Sequence, residues 1–172
     1  MAATHFDDLV LTQEQHANGS VVRCSMVKFT IASGTAAGTY TGSALLPAGA
    51  RILDIALHTV AQFNAGTSAS MEIGDYSVAD VAIDADGFFT AVNVKDTDLT
   101  TAQGLHFAKT GGQEGAYADG SATHWNATYS ATARKIVGKI TTVGTAPTTG
   151  EVWMYVYWHP DTEFVTATYA AT

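Results

Sequence analysis

The stretch Ala133–His159 constrains this chain most. It reads ARKIVGKITTVGTAPTTGEVWMYVYWH, two β-patterned runs joined by a Gly-Thr-Ala-Pro-Thr-Thr-Gly loop, and the spacing predicts a hairpin. Strand side chains alternate with period 2, so Val152, Met154, Val156 and Trp158 take one face of the second run, and Trp153, Tyr155, Tyr157 and His159 take the other. An antiparallel sheet with one wet side alternates apolar with polar. This strand is apolar on both sides. If one face supplies the core, the other needs a cover, from loops of the same fold or from a second subunit.

The rest of the chain fits a β-rich domain. Its 172 residues suffice to bury roughly 70% of the unfolded surface. Charged residues are only 14% of the total, and Thr, Ala, Gly and Ser take their place, a composition of sandwiches and barrels. Val21–Ile31 is a long β run in which Val22, Cys24 and Met26 alternate against Arg23 and Ser25. Thr39–Leu46 is another, stopped by Pro47-Ala48-Gly49. From Arg51 to Phe63, Leu53, Ile55, Leu57, Thr59, Ala61 and Phe63 form a core face opposite Asp54, Ala56, His58 and Gln62. The turn residues 64–68 and the returning Ala69, Met71 and Ile73 predict a second hairpin with that run. Gly74–Gly87 reads as irregular and acidic, with a short helical turn at Val78–Ile83; Phe88, Phe89, Val92 and Val94 read as a strand, and Leu105–Phe107 as a short one. The expectation is an all-β, single-domain antiparallel sandwich over residues 21–160, with an N-terminal arm at 1–20 and an extended C-terminal tail at 161–172.

Charge and motifs remove several function classes. The net charge is −8, and the closest basic cluster is Arg134, Lys135 and Lys139. Nucleic-acid binding draws on Lys and Arg that neutralise phosphates, so DNA, RNA and anionic membranes are disfavoured partners. The start, MAATHFDDLVLTQEQH, lacks the basic and apolar regions of a signal peptide, and no run approaches the roughly 18 apolar residues that span a bilayer. Synthesis as a soluble intracellular chain is the expectation, and the sequons at Asn18 and Asn126 read as coincidental. Cys24 is the one cysteine and sits in a β run, where it reads as a small buried hydrophobe.

Chemical motifs are missing. With Gly87 at the sixth position of a calcium loop, Asp84 and Asp86 fall at the third and fifth, but Ala82 at the first and Asn93 at the twelfth break the pattern. The six histidines show no H-x-H, H-x-x-x-H or H-E-x-x-H spacing. Neither a nucleophile elbow nor a phosphate loop is present, so the chain reads as no enzyme, with no cofactor and no metal. The aromatics remain: Trp153, Tyr155, Tyr157, Phe88, Phe89 and Trp125, with Tyr117 beside them. Each suits a core, a sugar-stacking platform or an interface. For the Trp153/Tyr155/Tyr157 stripe a subunit interface is favoured, because the opposite face already supplies the core.

Four segments add a resemblance. Leu46-Pro-Ala-Gly-Ala-Arg-Ile-Leu-Asp54, Phe63-Asn-Ala-Gly-Thr-Ser68 leading to Ile73-Gly-Asp75, Asp84-Ala-Asp-Gly-Phe88, and Thr142-Val-Gly-Thr-Ala-Pro-Thr-Thr-Gly150 stand in an order similar to that in auxiliary structural proteins of tailed-bacteriophage virions. Head decoration (cement) proteins are the nearest in kind. The resemblance implies a jelly-roll-like sandwich, a symmetric homo-oligomer such as a trimer, the major capsid protein lattice as partner, and a place on the capsid exterior. It carries over no catalytic residues. The alternative from the exposed aromatics is a carbohydrate- or receptor-binding module of a phage fibre or spike.

Overall fold

A computed structural model describes residues 9–11, 22–31, 36–95, 105–106, 115–117 and 128–160, with backbone alone at 9–11 and 105–106. The strands are β1 (Leu9–Leu11), β2 (Arg23–Thr30), β3 (Thr39–Leu46), β4 (Ala50–Ala61), β5 (Ser68–Ser77), β6 (Ala82–Asn93), β7 (Leu105–His106), β8 (Arg134–Val143) and β9 (Glu151–Pro160). No helix occurs among the described residues. Two antiparallel sheets face each other, a five-stranded one in the order β1-β2-β9-β4-β7 and a four-stranded one in the order β3-β8-β5-β6.

The pairing is nested. β2 pairs with β9, β3 with β8, β4 with β7 and β5 with β6, all antiparallel, as if one long hairpin had been rolled into two layers. Both hairpins expected from the sequence are thereby corrected. β8 and β9 lie in different sheets, and so do β4 and β5. Their connections are arches over one end of the sandwich, and each turns the apolar face of one strand towards that of the next. The arches brace each other. Asn64 donates from Nδ2 to Thr148 Oγ1 at 2.8 Å and accepts at Oδ1 from the Thr148 and Thr149 amides at 2.8 and 3.1 Å. Gly66 N donates to the Thr145 carbonyl at 3.1 Å.

The core lies between the sheets. Val27 and Phe29, Ile55 and Leu57, and Val152, Met154, Val156 and Trp158 face Leu46, Met71, Ile73, Ile136 and Ile140. In β2 this reverses the expected phase: Ser25, Val27 and Phe29 point inward, while Cys24 and Met26 are half-buried on the outer face. Val27 and Phe29 set the phase, and Ser25 follows them by accepting the Trp158 indole N–H at 3.1 Å. A register shift between Ile52 and Asp54 likewise overturns the place of Leu53, which is 44% exposed while Ile52 and Ile55 are both buried.

The acidic stretch is regular too. Ser77–Val81 closes a tight hairpin in which Ser77 N donates to the Val81 carbonyl at 2.9 Å and Asp80 N to the Ser77 carbonyl at 3.1 Å, so no helical turn forms there. Register shifts along β5–β6 then bring both Phe88 and Phe89 fully inside. In the stretch expected to be an arm, β1 pairs with β2 through Leu9↔Met26 and Leu11↔Cys24. The expected tail at 161–172 lies outside the described residues.

Candidate interaction face

The outer face of the five-stranded sheet is built by three adjacent strands. β9 contributes Trp153, Tyr155 and Tyr157, each half-buried, while its alternate residues fill the core. In register beside them stand Lys28, Met26 and Cys24 on β2, and His58, Ala56 and Asp54 on β4. The result is an apolar and aromatic strip with charges at its ends. Of the aromatics singled out in the sequence, Trp153, Tyr155 and Tyr157 share this face. Phe88 and Phe89 are in the core with no exposed surface, and Trp125 lies outside the described residues. Cys24, Met26 and Lys28 join the face unforeseen; the inward phase of Val27 and Phe29 was the signal that reveals them.

Contacts within the face fix its aromatic rings. Tyr155 and Tyr157 are nearly parallel at 18°, with centroids 6.5 Å apart, and Trp153 meets Tyr155 edge-on at 6.4 Å. Trp153 is boxed in. Its indole N–H donates to Glu151 Oε1 at 2.7 Å, the Lys28 ammonium sits 5.8 Å from its centroid, and His58 packs edge-on at 6.1 Å. Lys28 closes the box with an ion pair to Glu151 at 3.0 Å. One face of the indole is therefore occupied by a cation of the same chain.

The face offers little for covalent chemistry. Burial pushes the Cys24 thiol up, against a smaller opposing effect of its hydrogen bond with Tyr157, so the thiolate is scarce. Burial also pushes the Tyr155 and Tyr157 phenols up, with Cys24 adding to the effect. These groups stay neutral across the physiological range and act as apolar bodies with hydroxyl tips.

Elsewhere the three cations of β8 each pair with a carboxylate. Arg134, 2% exposed, donates from Nη1 to Asp75 Oδ2 at 2.7 Å and from Nη2 to the Thr128 carbonyl at 2.8 Å, tying the segment before β8 to the sheet. Lys135 pairs with Asp80 at 2.6 Å, and Lys139 with Glu72 at 2.5 Å. Asp84 Oδ1 accepts the Asp86 amide at 3.4 Å. Burial foremost, then Asp84 and Glu72, raises the Asp86 carboxyl above its ordinary value. No three His, Cys, Asp or Glu side chains gather to hold a metal ion among the described residues. An open depression at the arch end is lined by Thr67, Ser70, Asn93 and Lys95, and the Lys95 ammonium there is bonded to the carbonyl of Ala65 at 2.6 Å.

No protein-family model matches the chain, and no curated protein matches it. Among solved structures, the chain resembles one from the capsid of Ralstonia phage GP4, with 15% identity and a TM-score of 0.50, over 87% of this chain and 90% of that one. A chain of the cyanophage Pam1 capsid asymmetric unit aligns over 92% of this chain and 99% of that one, with 18% identity and a TM-score of 0.49. At 15% identity the likeness to the Ralstonia phage GP4 chain shows a shared all-β sandwich fold.

Proposed function

We propose that this chain is a non-enzymatic virion structural protein: a jelly-roll decoration (cement) protein that binds the outside of a phage head as a homo-oligomer and stabilises it. The nested strand pairing supports the jelly roll, since eight strands folded as two Greek keys produce it. The fold shared with a chain of the Ralstonia phage GP4 capsid supports the virion setting, as does the sequence resemblance. Fold alone does not assign a role.

The observation that carries the reading is the outer face. Trp153, Tyr155, Tyr157, Met26 and Cys24 form a strip that one sandwich leaves half in water. Closed symmetry buries such a strip between identical copies, and a trimer is the assembly that the resemblance implies. The Lys28 ammonium over one face of Trp153 and the Glu151 acceptor at its N–H take that face and that donor away from a stacked sugar, which favours this use. Residues 1–20 and 161–172 then serve as the lattice-gripping ends, and contacts that are weak one by one add up over the capsid.

The test is to grow phage heads without the chain, add the purified protein and sediment the mixture. Saturable binding in fixed ratio to the capsid subunit, with heads that withstand higher temperature before releasing DNA, is the expected result. Deleting residues 161–172 weakens the binding and leaves the melting temperature unchanged. Heads that neither bind the protein nor gain stability from it would overturn the proposal.

A further inference from the structure

Among the described residues, three of the seven exposed large hydrophobic side chains lie within six positions of each other: Val78, Val81 and Ile83, at 53%, 64% and 62% exposure. They crown the β5–β6 hairpin, and nothing described so far uses them. The hairpin is rigid. Beyond its two backbone bonds, Ser77 Oγ accepts the Val81 amide at 3.2 Å, Asp80 holds φ at 62°, and Lys135 clamps the Asp80 carboxylate. β-Branched side chains have little rotamer freedom to lose, so burying this tip costs little ordering entropy.

The tip also sits at the right end of the molecule. Ser77 stands opposite Arg134, and Arg134 opposite Leu46, from which the 47–49 turn leads straight to Ala50 opposite Pro160. Arg23, opposite Trp158, is at this same end. The start of β2 at Arg23 and the end of β9 at Pro160 therefore both lie at the end that carries the hairpin, away from the braced arches.

We infer that the Val78/Val81/Ile83 tip is a second contact site, a preformed apolar knob that seats in an apolar depression with a basic rim on a different protein. Size and charge set the partner. The knob offers on the order of a few hundred Å², well under the roughly 800 Å² that each partner gives a stable two-body complex. A contact of that size serves a partner that presents its depression many times over, and in this respect the inference rests on the lattice-binding reading. The three cations of β8 are all paired, Arg134 with Asp75, Lys135 with Asp80 and Lys139 with Glu72. Asp84 directly follows Ile83 and forms no ion pair among the described residues, while Asp75 and Asp80 are balanced by Arg134 and Lys135, so net negative charge flanks the knob. Two knobs of this chain would bring like charges together; a basic rim is complementary.

The test uses the full chain with Val81→Ser and Ile83→Ser together, and heads assembled without the chain. Both positions are exposed, so the variant keeps the wild-type melting temperature. Its affinity for the heads falls about tenfold or more, as for a contact centred on apolar anchors, while its solution mass stays that of the wild type. Wild-type affinity in the variant would overturn the inference and leave the lattice reading standing. A drop in solution mass would overturn it differently, by making a second copy the occupant. Wild-type protein that fails to sediment with heads would remove the lattice reading, and this inference with it.

Discussion

Replacing Gly138 by alanine tests how the two sheets are fitted together. Gly138 lies mid-strand in β8, opposite Gly42 on β3, and the pair leaves a notch into which the Phe29 ring of the other sheet enters. A methyl group at Gly138 would stand 2.6 Å from Phe29 Cζ and 2.6 Å from Met71 Cε. Carbon atoms prefer separations of about 3.5–4.0 Å, so each overlap is about 1 Å. Met71 yields cheaply, because its terminal methyl is flexible. Phe29 does not, since its ring is already seated close against Gly42, where a Cβ would stand 3.0 Å from its Cε1, and the residue is only 6% exposed. Overpacking of this kind costs about 1–3 kcal/mol, and the entropy gained by removing a strand glycine returns at most about 1 kcal/mol. With two overlaps of about 1 Å the cost lies in the upper part of that range, about 2–3 kcal/mol, so the expected net loss is about 1–2 kcal/mol, or roughly 2–8 °C in Tm for a chain of this size. Phe29→Leu clears the ring atoms from the notch, so the double variant should be at least about 1 kcal/mol more stable than the sum of the singles predicts. Denaturant melts of the four proteins give the coupling. A neutral Gly138→Ala, or strictly additive effects, would refute the notch.

Two further predictions concern the buried and half-buried charges. Arg134→Met strands Asp75 in the interior and releases the Thr128 carbonyl, and should cost about 3 kcal/mol or more; adding Asp75→Leu should recover part of that loss, and a double variant worse than Arg134→Met would contradict the ion-pair account. The raised Asp86 carboxyl means that the folded state holds its proton more tightly than the unfolded chain, so between the ordinary value of 3.8 and the higher folded value stability rises as pH falls. Asp86→Asn should therefore be more stable than wild type at pH 7, with the gap closing as the pH approaches 4; melts whose difference is independent of pH would exclude this.

Strand content was legible because its signal is local. The alternation in β4 and β9 and the stops at Pro47-Ala48-Gly49 and Gly144–Gly150 mark where strands run and end. Pairing was not legible. A seven-residue loop such as 144–150 closes a hairpin or arches over a sandwich with the same residues, and the choice depends on distant partners: β9 is held by β2 and β4, β8 by β3 and β5. Phase failed where a register shift intervened, at Leu53, and in β2, where Val27 and Phe29 set it and a residue far away in sequence, Trp158, gives the inward Ser25 its partner. The candidate face followed the same division. The stripe on β9 could be read from nine consecutive residues, whereas Met26, Cys24 and His58 join it through pairing alone.

The central claim is that the outer face of the five-stranded sheet is buried between copies of this chain, and solution mass by light scattering over a concentration series tests it most directly. The account predicts a stable oligomer, three times the 18.0 kDa chain mass, that Tyr155→Asp converts to monomer without lowering the core's β content. A wild-type protein that stays at 18.0 kDa at every concentration would contradict it.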